Sequence, residues 1–210
     1  MNTTEKILKY LRETYSPEAI IVYGSFADGS EGENSDFDAL VIAESEKRHD
    51  SSVIGGVVLD VFIRGAETFR GEFDPGEYVQ VRDGWIVFDR DGTAARLKER
   101  VAAFIDSRPK KSADEISEDI GWCEKMVLRA VRNDAEGYFR MHLLLVESLE
   151  IYCDIKGEYY EGPKKALRRM EKTDGEAFEV YAKALREFGR ETLAAWVAYL
   201  RRIEEQKAPR

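Results

Sequence analysis

Cysteine is nearly absent from this chain of 210 residues: only Cys123 and Cys153 occur, far apart and with no C-x-x-C spacing. That excludes a disulfide framework and a cysteine-based zinc site, and both thiols are expected to be buried. Long apolar runs are also missing. The opening MNTTEKILKYLRETY mixes charge with apolar residues at helical spacing, so neither a signal peptide nor a membrane span is expected, and the expected setting is the cytoplasm. Nor is there a basic block: 32 Lys and Arg face 41 Asp and Glu, leaving a formal charge of −9. Broad capture of nucleic acid needs a basic face, so RNA or DNA is not the expected partner. A small polyanion is still allowed, because a few cations or a metal neutralise it locally. There is no repeat and no low-complexity tract.

What is present suits ordinary globular packing, since 43% of residues are apolar. Thr3 or Thr4 is placed to cap a first helix with an apolar stripe of Ile7, Leu8, Leu11 and Tyr15, ending before Pro17. AIIVYG at 19–24 reads as a short buried strand, followed by strands at 36–43 and 57–64, the latter dense in β-branched residues. The connection AESEKRHDSSVIGG is too charged for a buried crossover helix, so antiparallel pairing of those two strands is the first expectation. A short helix in GAETFRGEF, a strand at 85–92 and a helix at 93–107 follow.

Beyond the polar segment 108–114 the strand signals vanish. From Ser112 onward the periodicity is helical, with Gly157, Gly162-Pro163 and Asp174-Gly175 as stops and starts, and three or four helices are expected. The fold expectation is α+β: a small mixed or antiparallel sheet flanked by helices over 1–108, then an α-helical bundle over 109–210.

The segment VYGSFADGSEGENSDFDALV carries the chemistry. Gly24 permits a sharp turn and close approach of a ligand, while Ser25 is placed to cap the short helix that follows and to present its hydroxyl and neighbouring amides to phosphate. Asp36 and Asp38 are one residue apart at a strand, so both carboxylates point to one face and can clamp a divalent cation. Asp60 interrupts the apolar run VVLDVFI, where an isolated carboxylate is costly to bury without a partner or a metal. His49, in the charged connection, is assigned no role. Arg64 either touches a phosphate or ends its strand with a charge.

Gly24-Ser25, ten intervening residues, then Asp36-Phe37-Asp38, with Asp60 on a later strand, resembles the DNA-polymerase-β-like nucleotidyltransferase superfamily. The resemblance implies a triphosphate held at Gly24, Ser25 and Ser35, and Mg2+ held by Asp36, Asp38 and Asp60. It implies ATP or another NTP as co-substrate. An α/β module followed by a helical one looks most like the antibiotic nucleotidyltransferases of the kanamycin and lincosamide kind. That comparison implies an NMP moved to a hydroxyl of a small-molecule acceptor, an acceptor-binding helical domain, a general base from that domain, and a homodimer.

Glu147 and Glu150 lie on one side of the apolar helix around 138–155, and Glu147 is favoured as base because Leu143, Leu144, Val146 and Leu149 place it at the edge of a buried stripe. Lys164 and Lys165 follow Gly162-Pro163 at a helix start, where either could meet the triphosphate. His142 reads as a packed residue, and the aromatics of the helical half as core. The alternative reading is a toxin–antitoxin type nucleotidyltransferase that modifies or binds a protein partner.

Overall fold

The computed structural model describes residues 2–44, 48–130 and 132–207. The chain forms two units, Met1–Arg108 and Pro109–Arg210. In the first, helix α1 (Thr3–Tyr15) is capped by Asn2, whose side chain accepts from the Glu5 amide while Glu5 bonds back to the Asn2 amide. This reciprocal capping box starts the helix one residue earlier than a Thr3 cap would and two earlier than a Thr4 cap would. Ile7 and Leu11 are buried from its stripe.

Strands β1 (Ala19–Tyr23), β2 (Phe37–Ile42), β3 (Arg48–Asp50), β4 (Val53–Ile54), β5 (Val57–Arg64) and β6 (Trp85–Asp89) form one mixed sheet in the order β3-β5-β2-β1-β6, with β4 also pairing β5. β1 lies antiparallel to β2 and β6. β2 and β5 run parallel, which overturns the expected antiparallel pair. The reason is in the connection. Part of it, 45–47, lies outside the described residues, but β3 and β4 run back along the outer edge of β5 and pair antiparallel with it. The hairpin is therefore β4–β5, turned by Gly55 and Gly56, both at positive φ (61° and 88°) as a tight two-residue turn requires. One inserted strand reverses the direction in which the chain re-enters the sheet.

Alternation along the strands sorts the two faces. Ile20, Val22, Phe37, Ala39, Val41, Leu59, Val61 and Ile63 share a core with Ile7 and Leu11 of α1. Tyr23, Asp38, Asp60 and Phe62 alternate with these and lie on the opposite face. Helix α2 (Ser25–Asp28) follows β1, helix α3 (Glu67–Arg70) follows β5, and the 3-10 segment Pro75–Val81 and helix α4 (Thr93–Ser107) pack near β1 and β6.

The second unit holds, among the described residues, five helices: α5 (Ala113–Arg129), α6 (Ala135–Lys156), α7 (Pro163–Thr173), α8 (Gly175–Glu187) and α9 (Arg190–Lys207). With Asp174-Gly175 as the last of the stops and starts, the sequence expectation beyond it is a single helical run. It breaks at Phe188, which caps α8 in the left-handed region (φ 41°), so that two helices replace one.

The centre of this unit is aromatic with a polar hub. Trp196 is fully buried, its Nε1 donating to the Ser148 hydroxyl at 2.8 Å. Asp174, the N-cap of α8, accepts from the hydroxyls of Tyr152 (3.0 Å) and Tyr199 (2.8 Å), from Lys156 Nζ (3.0 Å) and from the Ala177 amide (3.1 Å). One carboxylate thus ties α6, α8 and α9 together. Cys123 and Cys153 are buried and unoxidised, and burial raises both thiols, that of Cys153 to about 11, so neither is a poised nucleophile. No described helix is long and apolar enough to cross a membrane.

Candidate active site

The end of β1, the start of β2 and the first half of β5 lie side by side on the three inner strands of the sheet. Asp38 faces Tyr23 across the β1–β2 pair and Asp60 across the parallel β2–β5 pair, so the two carboxylates are direct cross-strand neighbours on one face. Asp36 precedes β2 and is exposed. Their placement follows from chain geometry: a parallel pair in this register brings residues 22 apart in sequence side by side.

Gly24 closes the site from the β1 side. Its backbone sits at φ 68°, ψ −152°, a region almost reserved for glycine, and a Cβ there would fall 2.2 Å from Asp38 Oδ2. The glycine is therefore required twice, once by the turn and once by the carboxylate behind it. Gly24, rather than Ser25, is the N-cap of α2, and no side chain caps that helix. Ser25 instead supplies the first residue of α2, a four-residue helix in which the amides of Ala27 and Asp28 bond to the Gly24 carbonyl. Ser35 closes the intervening loop, its hydroxyl accepting from the Gly32 amide at 2.9 Å and its own amide donating to the Gly32 carbonyl at 3.0 Å.

Tyr23 and His49 border the pair and Gln80 borders Tyr23; the sequence gives none of them a role. Tyr23 is 7% exposed; burial and then the charges of Asp38 and Asp60 push its phenol well above the usual range, so it stays protonated. Gln80, from the 3-10 segment, donates to the Tyr23 oxygen. His49 sits on edge strand β3 with Nε2 2.7 Å from Asp60 Oδ1. A tyrosine at the last position of a buried strand, directly before the glycine turn, was the one local signal available for Tyr23. His49 and Gln80 had none.

Asp60 does not bear the burial cost expected of a carboxylate in an apolar run. β5 is buried only on its α1 side, through Leu59, Val61 and Ile63, while Val58, Asp60, Phe62 and Arg64 line a partly open face. Asp60 is half exposed and hydrogen-bonded, so burial does not by itself demand a metal. The Arg64 guanidinium donates to the carbonyls of Ile63 (2.9 Å) and Arg48 (3.3 Å) and lies over the Phe62 ring, tying the strand ends together.

An all-carboxylate donor set suits a hard divalent cation with oxygen ligands. Asp38 and Asp60 fit that chemistry by their adjacency, and Asp36 is exposed two residues before Asp38. Among the described residues no three acidic, imidazole or thiol groups converge on one point as placed. The set is a pair of neighbouring carboxylates with a third nearby in sequence, whose side chains a cation would draw together.

The remaining candidates lie in the second unit. Glu147 and Glu150 are on the exposed side of α6, and Val146 beside Glu147 is 63% exposed, so the burial invoked for Glu147 is not there. Lys164 is exposed. Lys165 Nζ is 3.0 Å from Glu161, whose side chain is only 4% exposed, so its charge already serves a buried carboxylate. His142 stacks on Phe188 with ring centroids 4.1 Å apart.

Residues 5–55 match the family model described as "Polymerase beta, Nucleotidyltransferase". The matched span takes in Gly24, Ser25, Ser35, Asp36 and Asp38 and stops short of Asp60. No curated protein matches the chain. Among solved structures, the chain is similar to a nucleotidyltransferase-like protein from Exiguobacterium sibiricum 255-15, at 14% identity and a TM-score of 0.41, covering 98% of this chain and 74% of that one. It is also similar to a structure described as a toxin-antitoxin with AMP-PNP, at 17% identity and a TM-score of 0.33, covering 49% of this chain and 86% of that one. Both scores are below 0.5, and the domain assignment rests on the family model.

Proposed function

We propose that this chain, whose N-terminal unit carries a nucleotidyltransferase domain of the polymerase-beta type, moves a nucleoside monophosphate from ATP or another NTP to a hydroxyl of a small-molecule acceptor. The observation that carries the reading is the register of Asp38 beside Asp60 on adjacent parallel strands, with Gly24 packed against Asp38. In this reading Asp36, Asp38 and Asp60 hold Mg2+, which when bound supplies neutralisation of phosphate charge and orientation of the triphosphate. Gly24 lets the backbone approach the phosphates, and the opening amides of α2 at Ser25 donate to them. Ser35 supports the loop rather than the ligand, through its bonds to Gly32.

The acceptor's proton requires a base. Glu147, with Glu150 one turn on, is proposed for it from the helical unit, and Lys164 for a phosphate contact. A net charge of −9 favours a cationic acceptor such as an aminoglycoside. A protein acceptor is the second reading, favoured by the exposed apolar side chains Phe139 (64%) and Val146 (63%) on the helix that bears Glu147. A homodimer is proposed for assembly, to be checked by sedimentation.

The deciding experiment incubates the protein with each labelled NTP, Mg2+ and a panel of aminoglycosides, lincosamides and proteins, beside Asp36→Ala and Asp38→Ala. Transfer is expected with the wild type alone. Transfer that persists in the variants overturns the assigned site, and label appearing on proteins alone favours the second reading.

A further inference from the structure

We infer that His49 is a positioning residue for Asp60, holding that carboxylate in the orientation a divalent cation needs; this rests on the metal-dependent reading above. His49 occupies the middle of β3, opposite Phe62 on β5, and Asp60 is the diagonal neighbour on the same face. The imidazole is held on two sides. Its ring packs on Phe62 with centroids 4.8 Å apart at 34°, and its Nε2 lies 2.7 Å from Asp60 Oδ1. An ionised carboxylate only accepts, so Nε2 is the donor.

The short strand that carries His49 is itself anchored. The next residue, Asp50, points to the other face, is 7% exposed, and accepts from Tyr15 (2.7 Å) and Tyr10 (3.1 Å) of α1 and from the Ser52 amide (2.9 Å). Those bonds fix β3 against α1, and period-two alternation then aims His49 at the carboxylate face.

Two observations separate positioning from simple stability. The His49–Asp60 pair is about half exposed, at 47% and 42% of the side chains, and pairs so open to water contribute little to folding. Asp38 and Asp60, as like charges side by side, repel each other and would turn apart. A donor fixed on Asp60 Oδ1 restrains that rotation and leaves the other oxygen to a cation. Hydrogen-bond partners of ligating carboxylates commonly influence metal affinity by about 10–100-fold.

The test is Mn2+ affinity, read by the EPR signal of free Mn2+ in the presence of a non-hydrolysable ATP analogue, together with thermal melting. His49→Ala is expected to weaken Mn2+ binding by about tenfold or more with an unchanged melting temperature. His49→Gln, which restores a donor near the Nε2 position, is expected to recover most of it. If Asp60→Asn and Asp38→Asn lose Mn2+ while His49→Ala binds as the wild type, the positioning role is overturned and the nucleotidyl-transfer reading stands. If the aspartate variants also bind as the wild type, the metal site itself is wrong and both readings fall.

Discussion

Gly24→Ala is the sharpest perturbation of this site, because its cost comes from two separable sources. The backbone at φ 68°, ψ −152° lies where an L-residue pays about 1–3 kcal/mol of strain. The new methyl would also stand 2.2 Å from Asp38 Oδ2 and 2.8 Å from its Cγ. Non-bonded contacts are optimal near 3.5 Å, so the carboxylate has to retreat by about 1 Å. A side chain can make that move, but it takes Asp38 out of line with Asp60, and displacements of about 1 Å in a catalytic constellation can cost on the order of 100-fold in rate. Gly29→Ala is the control for positive φ without a clash: Gly29 is left-handed (φ 72°, ψ 23°), a milder region than that of Gly24, and nothing lies within 4 Å of its would-be Cβ. In a unit of this size about 2 kcal/mol lowers the melting temperature by roughly 10 °C. The assay pairs thermal melting with Mn2+–nucleotide titration. Both variants are expected to melt lower, and only Gly24→Ala to weaken Mn2+ binding at least tenfold. A Gly24→Ala protein that binds Mn2+ and nucleotide as tightly as Gly29→Ala would refute the reasoning.

Other outcomes follow from the helical unit. Burial alone would raise the Asp174 carboxyl, but bonds from Tyr199, Lys156, the Ala177 amide and Tyr152 outweigh it and hold it below its ordinary 3.8. Its stabilisation is therefore complete above about pH 4 and is lost as pH falls through the depressed value; in urea melts from pH 5 to 3 the wild type should lose more stability than Asp174→Asn. Ser148→Ala strands the indole donor of Trp196 in the core and should cost about 1–3 kcal/mol by chemical denaturation, where an exposed serine would cost almost nothing. Lys165→Met, which removes a partner of the buried Glu161, should destabilise by about 1–3 kcal/mol, and Lys164→Met by less than about 0.5. If Lys165 is instead a phosphate ligand, its variant will raise the KM for NTP and leave melting unchanged.

Much of the local structure was legible. Helix starts and stops could be read at Gly157, Gly162-Pro163 and Asp174-Gly175 because capping and φ preferences act over a few residues. The break at Phe188 had a signal in Gly189, directly after it, but helical periodicity on both sides masks a single glycine; Phe188 takes the left-handed position with the His142 ring stacked on it. Burial of β5 was misjudged because a dense run of β-branched residues looks the same whether one face is covered or two. Glu147 was placed at a buried edge by its apolar neighbours, yet Val146 among them is exposed.

By itself the sequence determined the glycine turn after a buried strand, the Asp-x-Asp spacing that follows, and the strand and helix segments, all set by interactions along a few consecutive residues. Tertiary structure alone decided that β5 returns parallel to β2, that Asp60 stands beside Asp38, that Tyr23 faces Asp38, and that His49 reaches Asp60 from an edge strand. The physical reason is that period-two alternation says which face a side chain occupies, but neither the neighbouring strand nor its direction. Those depend on where the whole chain buries its apolar surface.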